Sequence, residues 1–149
     1  MKLQPREFSQ GEFTISSDPV RLDLVWIHDY LANEAYWARG ISYKVFQKSV
    51  ENSLCFGVYY QSSQVGFGRV ISDYATFAYL ADVFIDENQR GKGLGKWLVE
   101  CILEYPELQG MRRWMLLTSD AHGLYEQYGF SPVLRPGNVM EKVAKFTHP

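Results

Sequence analysis

The stretch from Val83 to Lys96 is the part of this chain best suited to chemistry. An apolar run ends at Ile85, glycines follow at 91, 93 and 95, and the cations Arg90, Lys92 and Lys96 are interleaved with them. Glycines let backbone N–H groups approach an anion with no Cβ in the way. A helix N-terminus placed there adds about half a positive charge. The chemistry this implies is a phosphate or pyrophosphate cradle. A Walker A loop needs G-x-x-x-x-G-K-[ST], but Arg90 stands where its first glycine belongs and Trp97 follows Gly95-Lys96. A dinucleotide fingerprint starting at Gly91 needs glycine where Lys96 stands, and it lacks an acidic ribose ligand near Trp114. The pattern R-x-x-G-x-G fits as Arg90, Gly93 and Gly95. The remaining alternative is a glycine-rich turn that binds nothing.

The turn needs a strand before it and a helix after it. Phe77 to Ile85 is apolar on both faces, as in a central, doubly covered strand. Leu94, Leu98, Cys101, Ile102 and Tyr105 recur at helical spacing, and Pro106 stops that helix. Upstream, Leu54, Phe56, Val58 and Tyr60 alternate, Gln61 to Gln64 is a polar turn, and Val65 to Ile71 resumes the alternation as a hairpin. Downstream, Trp114 to Thr118 reads as a buried strand, and a short helix spans Ala121 to Tyr128 with Gly129 as its C-cap. Phe13 to Ser16 is a short strand. Asp18-Pro19 starts a helix to about Leu31, and a second helix runs from Ile41 to near Asn52. Val133-Leu134 and Val139 to Val143 are expected to add strands at the tail. The order is β-αα-βββ-α-β-α-ββ. The strand–helix–strand unit from Phe77 to Thr118 requires a parallel crossover, so an α/β (α+β) fold with a mixed sheet and helices on both faces follows.

The 149 residues suit one domain. Hydrophobic residues make up 46%, which argues against disorder, and an aromatic share of 15% can line a mixed-polarity pocket. The net charge of −2 and the absence of a basic tract exclude a general nucleic-acid binder. No apolar run approaches the roughly 20 residues of a membrane span. The N-terminus lacks a signal-type apolar region, so a cytoplasmic location is expected. Cys55 and Cys101 read as buried free thiols. No H-E-x-x-H motif or Cys/His cluster is present, so no metal is expected.

Two segments of the chain resemble the GNAT acetyltransferase superfamily. Leu80 to Leu98 looks like the family's acetyl-CoA motif. Ala121 to Phe130 looks like its later A-x-x-[LF]-Y-x-x-x-G-F motif. The element order matches the family fold from about residue 13 to residue 143. The resemblance implies one N-acetyltransferase domain over residues 1–149. Its sheet would be mixed and largely antiparallel, with a central parallel pair that splays apart. It implies acetyl-CoA as cosubstrate, with the pyrophosphate on Arg90, Gly91, Lys92, Gly93, Leu94, Gly95 and Lys96. The pantetheine arm would pair with the backbone of Val83, Phe84 and Ile85, and an amide near Val83 or Phe84 would polarise the thioester carbonyl.

Tyr125 matches the family tyrosine that protonates the departing thiolate, a step that needs a donor in any case. Asp82, the carboxylate inside the central strand, is the candidate base for the attacking amine, or else a structural partner of Arg69. Glu34 and Asp73 are weaker candidates. The family's asparagine after the penultimate strand is replaced by Thr118-Ser119-Asp120, where Asp120 suits a helix N-cap. Tyr36 and Trp37 could stack on an acceptor, or instead anchor their loop to the core. Arg39 and Arg69 could hold an acidic group on it. The expected function is transfer of an acetyl group to an amine of a small molecule or a peptide. The alternative is a non-catalytic acyl-CoA-binding regulatory module. The expected partner is an amine acceptor, with the chain a monomer or a homodimer.

Overall fold

The structure is a computed structural model that describes residues 3–144. Its strands are β1 (Glu7–Gln10), β2 (Phe13–Ser16), β3 (Leu54–Tyr60), β4 (Ser63–Ser72), β5 (Phe77–Ile85) and β6 (Arg113–Leu116). Its helices are α1 (Leu24–Asn33), α2 (Tyr43–Glu51), α3 (Leu94–Leu103) and α4 (His122–Glu126). The six strands lie in one sheet in chain order. Every neighbouring pair is antiparallel except β5 and β6, which are parallel. Short turns join β1 to β2, β3 to β4 and β4 to β5, the antiparallel step from β2 to β3 carries α1 and α2, and the parallel step carries α3 as its crossover.

Side-chain alternation sorts the sheet onto two cores. Leu54, Phe56 and Val58 of β3 pack with Leu98, Val99 and Ile102 of α3 on one face. Cys55, Phe67 and Phe84 pack with Ile27 and Leu31 of α1 and Phe46 of α2 on the other. Both cysteines are free and buried, and burial pushes the Cys55 thiol up to about 12 and Cys101 up to about 11.

β5 changes face partway along. Ala78 and Leu80 belong to the α3 core, but so do Val83 and Ile85 beyond them, while Phe84 turns toward α1. A bulge produces this switch: Arg69 of β4 opposes Ala81 and Phe67 opposes Phe84, so Gly68 alone faces both Asp82 and Val83. One extra residue moves every later side chain to the opposite face. The apolar character of both faces of Phe77–Ile85 therefore has this second cause besides central burial.

Several expected elements differ. The first helix is broken in two. Asp18 caps a single 3-10 turn over Pro19–Arg21, Leu22 is extended, and Asp23 caps α1 by accepting from the Trp26 amide. The Asp23 amide is drawn instead to Gln64 Oε1, 2.7 Å away, which holds the chain in its break. β1 was not foreseen, because Glu7–Gln10 is mostly polar and exposed and carries no apolar alternation. β6 ends at Leu116, and α4 is five residues long. The tail strands at Val133-Leu134 and Val139–Val143 are absent; the described tail holds one 3-10 turn, Pro136–Asn138. Pro132 and Pro136 lack the N–H that a ladder needs and fix φ, which disfavours regular pairing there.

Asp73, weighed above as a base, instead organises the β4–β5 turn. Its carboxylate accepts from the amides of Ala75, Thr76 and Phe77 and from the Thr76 hydroxyl. Those bonds hold its pKa below the ordinary carboxylate value.

The α3 core supports the helix that carries the glycine turn. Leu98→Ala, at a fully buried side chain, should cost about 2–5 kcal/mol in urea denaturation. Val25→Ala, at an exposed α1 position, should stay within about 0.5 kcal/mol.

Candidate active site

The site begins where β5 loses its neighbour. The parallel ladder runs from Phe77 opposite Arg113 to Leu80 opposite Leu116 and stops, while β5 continues to Ile85. Five residues, Ala81 to Ile85, are thus left without a partner on the β6 side. Beyond them opens a cleft of about 520 Å³. Val83, Phe84 and Ile85 form one side, the glycine turn one end, and Asp120, Ala121, Leu124 and Tyr125 the opposite side.

The turn holds the shape its glycines permit. Gly91 and Gly93 have φ of 80° and 78°, in the left-handed region that disfavours a Cβ. Gly93 is the N-cap of α3 and offers no side chain to cap the first amides. Those donors point outward at the positive end of a ten-residue helix. Gly91, Gly93, Leu94, Gly95, Arg90 and Lys96 all line the cleft. Lys92 does not; its ammonium bonds Gln89 Oε1 at 2.6 Å and lies over the Phe13 ring. Arg90 braces the turn from behind, donating to the Ile85 carbonyl and to the Tyr30 hydroxyl. Tyr30 in turn stacks on Phe84 at 3.8 Å, nearly parallel. Nothing in the helical spacing of α1 marks Tyr30 for the cleft. Its role at the cleft depends on a contact 54 residues away along the chain, which spacing does not show.

Asp82 sits at the bulge with φ of 54°. Aspartate is one of the few non-glycine residues that tolerate this region. Both carboxylate oxygens are engaged: Oδ2 accepts from Arg69 Nε and Oδ1 from Trp37 Nε1, each at 2.8 Å. Arg69 also donates to the Ser53 hydroxyl. Asp82 therefore sits in a hydrogen-bonded chain, Ser53–Arg69–Asp82–Trp37. Arg69 is two-bonded within it and does not line the cleft.

Tyr36 and Trp37 meet edge to face at 5.1 Å. Trp37 is tied to β5 through Asp82, and the Tyr36 hydroxyl receives the Ser119 hydroxyl at 2.7 Å and the Ser119 amide at 3.2 Å. The pair therefore spans the gap between β5 and the segment after β6. Both rings remain partly exposed, and Trp37 lines the cleft. Arg39 and Glu34 are exposed and outside it.

α4 is shorter than the span Ala121 to Tyr128 read from the sequence. Helical spacing of the apolar Leu124 and Tyr128 would put those two on the buried face, but Tyr125 is the buried residue of α4, and Leu124 and Tyr128 are half-buried. Tyr125 is packed against Phe130 and lines both the main cleft and a smaller one beyond β6. Among the described residues its hydroxyl has no hydrogen-bond partner. Burial pushes its pKa up to about 12, with further contributions from Asp120 and Tyr36. The phenol is therefore a neutral donor aimed at open space. Tyr128 is instead bonded to Glu100 and the Lys96 carbonyl. Asp120 does not cap α4; Thr118 Oγ1 takes the amides of Asp120 and Ala121. His28 is tied to the Ile41 carbonyl, and His122 is exposed beside the smaller cleft.

A strand that parts from its parallel neighbour, a glycine turn on a helix N-terminus and a buried tyrosine across the gap match the GNAT pattern. The family model for the acetyltransferase (GNAT) domain matches residues 51–132. A chain of Gibberella zeae, provisionally named an acetyltransferase, is 31% identical over 144 residues, covering 82% of this chain and 80% of that one. A solved Xanthomonas campestris pv. campestris structure, provisionally described as an acetyltransferase belonging to the GNAT family, is 46% identical. It superposes with a TM-score of 0.88 over 91% of this chain and 96% of its own. A GNAT family acetyltransferase from Elizabethkingia anophelis, solved with acetyl-CoA bound, is 13% identical with a TM-score of 0.63, covering 93% of this chain and 92% of that one. The chain belongs to the GNAT acetyltransferase family.

The Asp82 chain yields a stability prediction. Asp82→Asn keeps an acceptor for Trp37 but leaves the half-buried Arg69 without its counter-charge. It should lower stability by about 1–3 kcal/mol in urea denaturation. Asp82→Gly relieves the positive φ but removes both bonds, so it should not recover that loss.

Proposed function

We propose that this chain is an acetyl-CoA-dependent N-acetyltransferase, a single domain that moves an acetyl group to a primary amine. One observation carries the reading. The same cleft joins the α3 amides, the unpartnered edge of Val83–Ile85 and the unbonded Tyr125 hydroxyl. An anion, an extended amide-bearing arm and a leaving group that needs a proton are met there in that order.

The residues present fit acetyl-CoA. The outward amides at Gly93 to Lys96 and the ammonium of Lys96 take the pyrophosphate. The backbone of Val83 to Ile85, free on the β6 side, pairs with the pantetheine arm as a strand would. The bulge at Asp82–Val83 aims a main-chain amide at the thioester oxygen, where charge develops as the amine attacks. Tyr125 gives its proton to the departing sulfur as the C–S bond breaks and the C–N bond forms. Tyr36 and Trp37 wall the acceptor side. We assign Asp82 and Arg69 as positioning residues, because the carboxylate already accepts two hydrogen bonds. The amine's proton then leaves through water. The donor at the sulfur favours this reading over a non-catalytic acyl-CoA-binding module, which has no use for it. Among the described residues no helix is long and apolar enough to cross a membrane.

The first test is release of CoA thiol, followed with a thiol reagent across a panel of amines, amino acids and peptides. Acceptor-dependent release supports the enzyme; tight acetyl-CoA binding with no release for any amine supports the binding module.

Gly95→Ala separates the turn's binding role from its folding role. Its φ is ordinary, and a Cβ would sit 3.9 Å from Ile85, an easy contact. Alanine inside a helix should raise stability by about 0.5–1 kcal/mol. The methyl intrudes on the cleft, so calorimetry should show acetyl-CoA affinity falling by about tenfold. Undiminished binding would place the anion elsewhere. Gly93→Val is the poorer probe, since its positive φ strains any β-branched residue.

Tyr125→Phe keeps the ring and removes the proton donor. kcat should fall by about 10²- to 10⁴-fold with little change in acetyl-CoA affinity. Because the phenol's pKa is raised to about 12, it stays protonated below that pH. The parent's rate should therefore show no Tyr125-linked decline between about pH 7 and pH 10.

A further inference from the structure

Charge is distributed unevenly along the main cleft. Arg39 and Arg69, the cations expected to hold an acidic group on the acceptor, do not line it. Arg69 is spent on Asp82 and Ser53. The cations that do line the cleft, Arg90 and Lys96, stand at the glycine turn, where the phosphates of the cosubstrate match them. Among the described residues the one acid that lines the cleft is Asp120, on the side of Tyr125.

The fold makes no use of the Asp120 side chain. An aspartate before a short helix is a natural cap, but Thr118 Oγ1 takes the amides of Asp120 and Ala121 instead. Among the described residues the Asp120 carboxylate accepts no hydrogen bond and forms no ion pair. Its neighbour Ser119 is bonded to the Tyr36 hydroxyl, which holds it beside the Tyr36–Trp37 wall.

Two further groups face the same space. Tyr125 is only 9% exposed, yet its hydroxyl is unpartnered and borders the cleft. Asp120 and Tyr36 both act on that hydroxyl electrostatically, so the three side chains share one part of the cleft. Trp37 lines the cleft with 41% of its surface exposed, and its N–H is already given to Asp82. What it still offers is ring surface. Aromatic rings and a carboxylate attract the same partner, a cation.

We propose that the acceptor is a diamine or polyamine, with Asp120 and the exposed surface of Trp37 holding a second cationic nitrogen while the other nitrogen meets the thioester. This rests on the acetyl-transfer reading and narrows its acceptor. An acceptor ending in a carboxylate or a phosphate meets the like charge of Asp120, with no free cation beside it to offset the repulsion.

Three probes of similar chain length isolate the far end of the acceptor. Putrescine ends in an ammonium, n-butylamine in a methyl group and γ-aminobutyrate in a carboxylate. Calorimetry at low salt, on the chain saturated with CoA, reads their binding without turnover. Putrescine should bind about tenfold or more tighter than n-butylamine, as one hydrogen bond to a charged group allows, and γ-aminobutyrate should bind weakest. Asp120→Asn should bring the putrescine advantage down to about one. Asp120→Lys should reverse the order in favour of γ-aminobutyrate. Both substitutions fall on an exposed side chain, and circular dichroism checks that each variant is folded. Equal binding of the three probes, no binding of putrescine, or a putrescine preference that survives both variants overturns the proposal. Release of CoA thiol with the same amines tests the underlying reading separately. Putrescine selectivity that depends on Asp120, without release from any amine, supports the diamine site and overturns acetyl transfer.

Discussion

The bulge in β5 is the constraint from which the site follows. Up to Leu80 the strand is held on both sides, by β4 and by β6, and its even-numbered side chains enter the α3 core. At Asp82 one residue is added opposite Gly68, the phase reverses, and Val83 and Ile85 take over that core. The pairing with β6 ends before that point. Bulged strands bend and twist more strongly, which accords with the loss of a straight parallel neighbour. A backbone free on one side, beside a cavity, results from this geometry, and a binding arm of strand-like shape needs such a backbone.

The bulge requires stabilisation, since Asp82 occupies a conformation uncommon for a non-glycine residue. Its two hydrogen bonds supply it from opposite directions. Arg69 comes from β4, the strand across the bulge, and Trp37 from the loop after α1. Phe84 is fixed from the same face by Phe67 and the stacked Tyr30. Tyr30 also receives Arg90, so the end of β5 and the start of the glycine turn are tied to one aromatic ring. The α1 side of the sheet thus positions the glycine-turn end of the cleft, while the α3 side supplies the core beneath it.

Across the gap the design reverses: the donor is left unbonded. The Tyr125 hydroxyl is packed and desolvated, which raises its pKa and keeps the proton on it. Tyr128, one turn away, shows the contrast, since it is bonded to Glu100 on α3 and serves packing. Tyr36 and Trp37 join the two sides above the cleft through Ser119 and Asp82. They bridge as well as line, so the two readings weighed for them from sequence, contact surface and loop anchor, are compatible.

The sequence by itself determined what depends on local spacing. Three glycines among cations between a buried strand and an amphipathic helix, and the Ala121–Phe130 motif, were sufficient for the family. The strands from Leu54 to Ile85 and the helix from Leu94 were legible because alternation and helical period were unbroken there. Tertiary structure decided the rest, for physical reasons that spacing does not carry. The bulge inverts the face of β5 through a register with β4, and nothing in the run Phe77–Ile85 marks it except Asp82. The chain of Arg69, Asp82 and Trp37 joins residues 13 and 45 positions apart. α4 is five residues rather than eight, and Tyr125 is its buried residue through packing against Phe130, a contact that helical spacing alone does not show. The tail retains a strand's alternation without forming a strand, because pairing depends on a neighbour as well as on propensity.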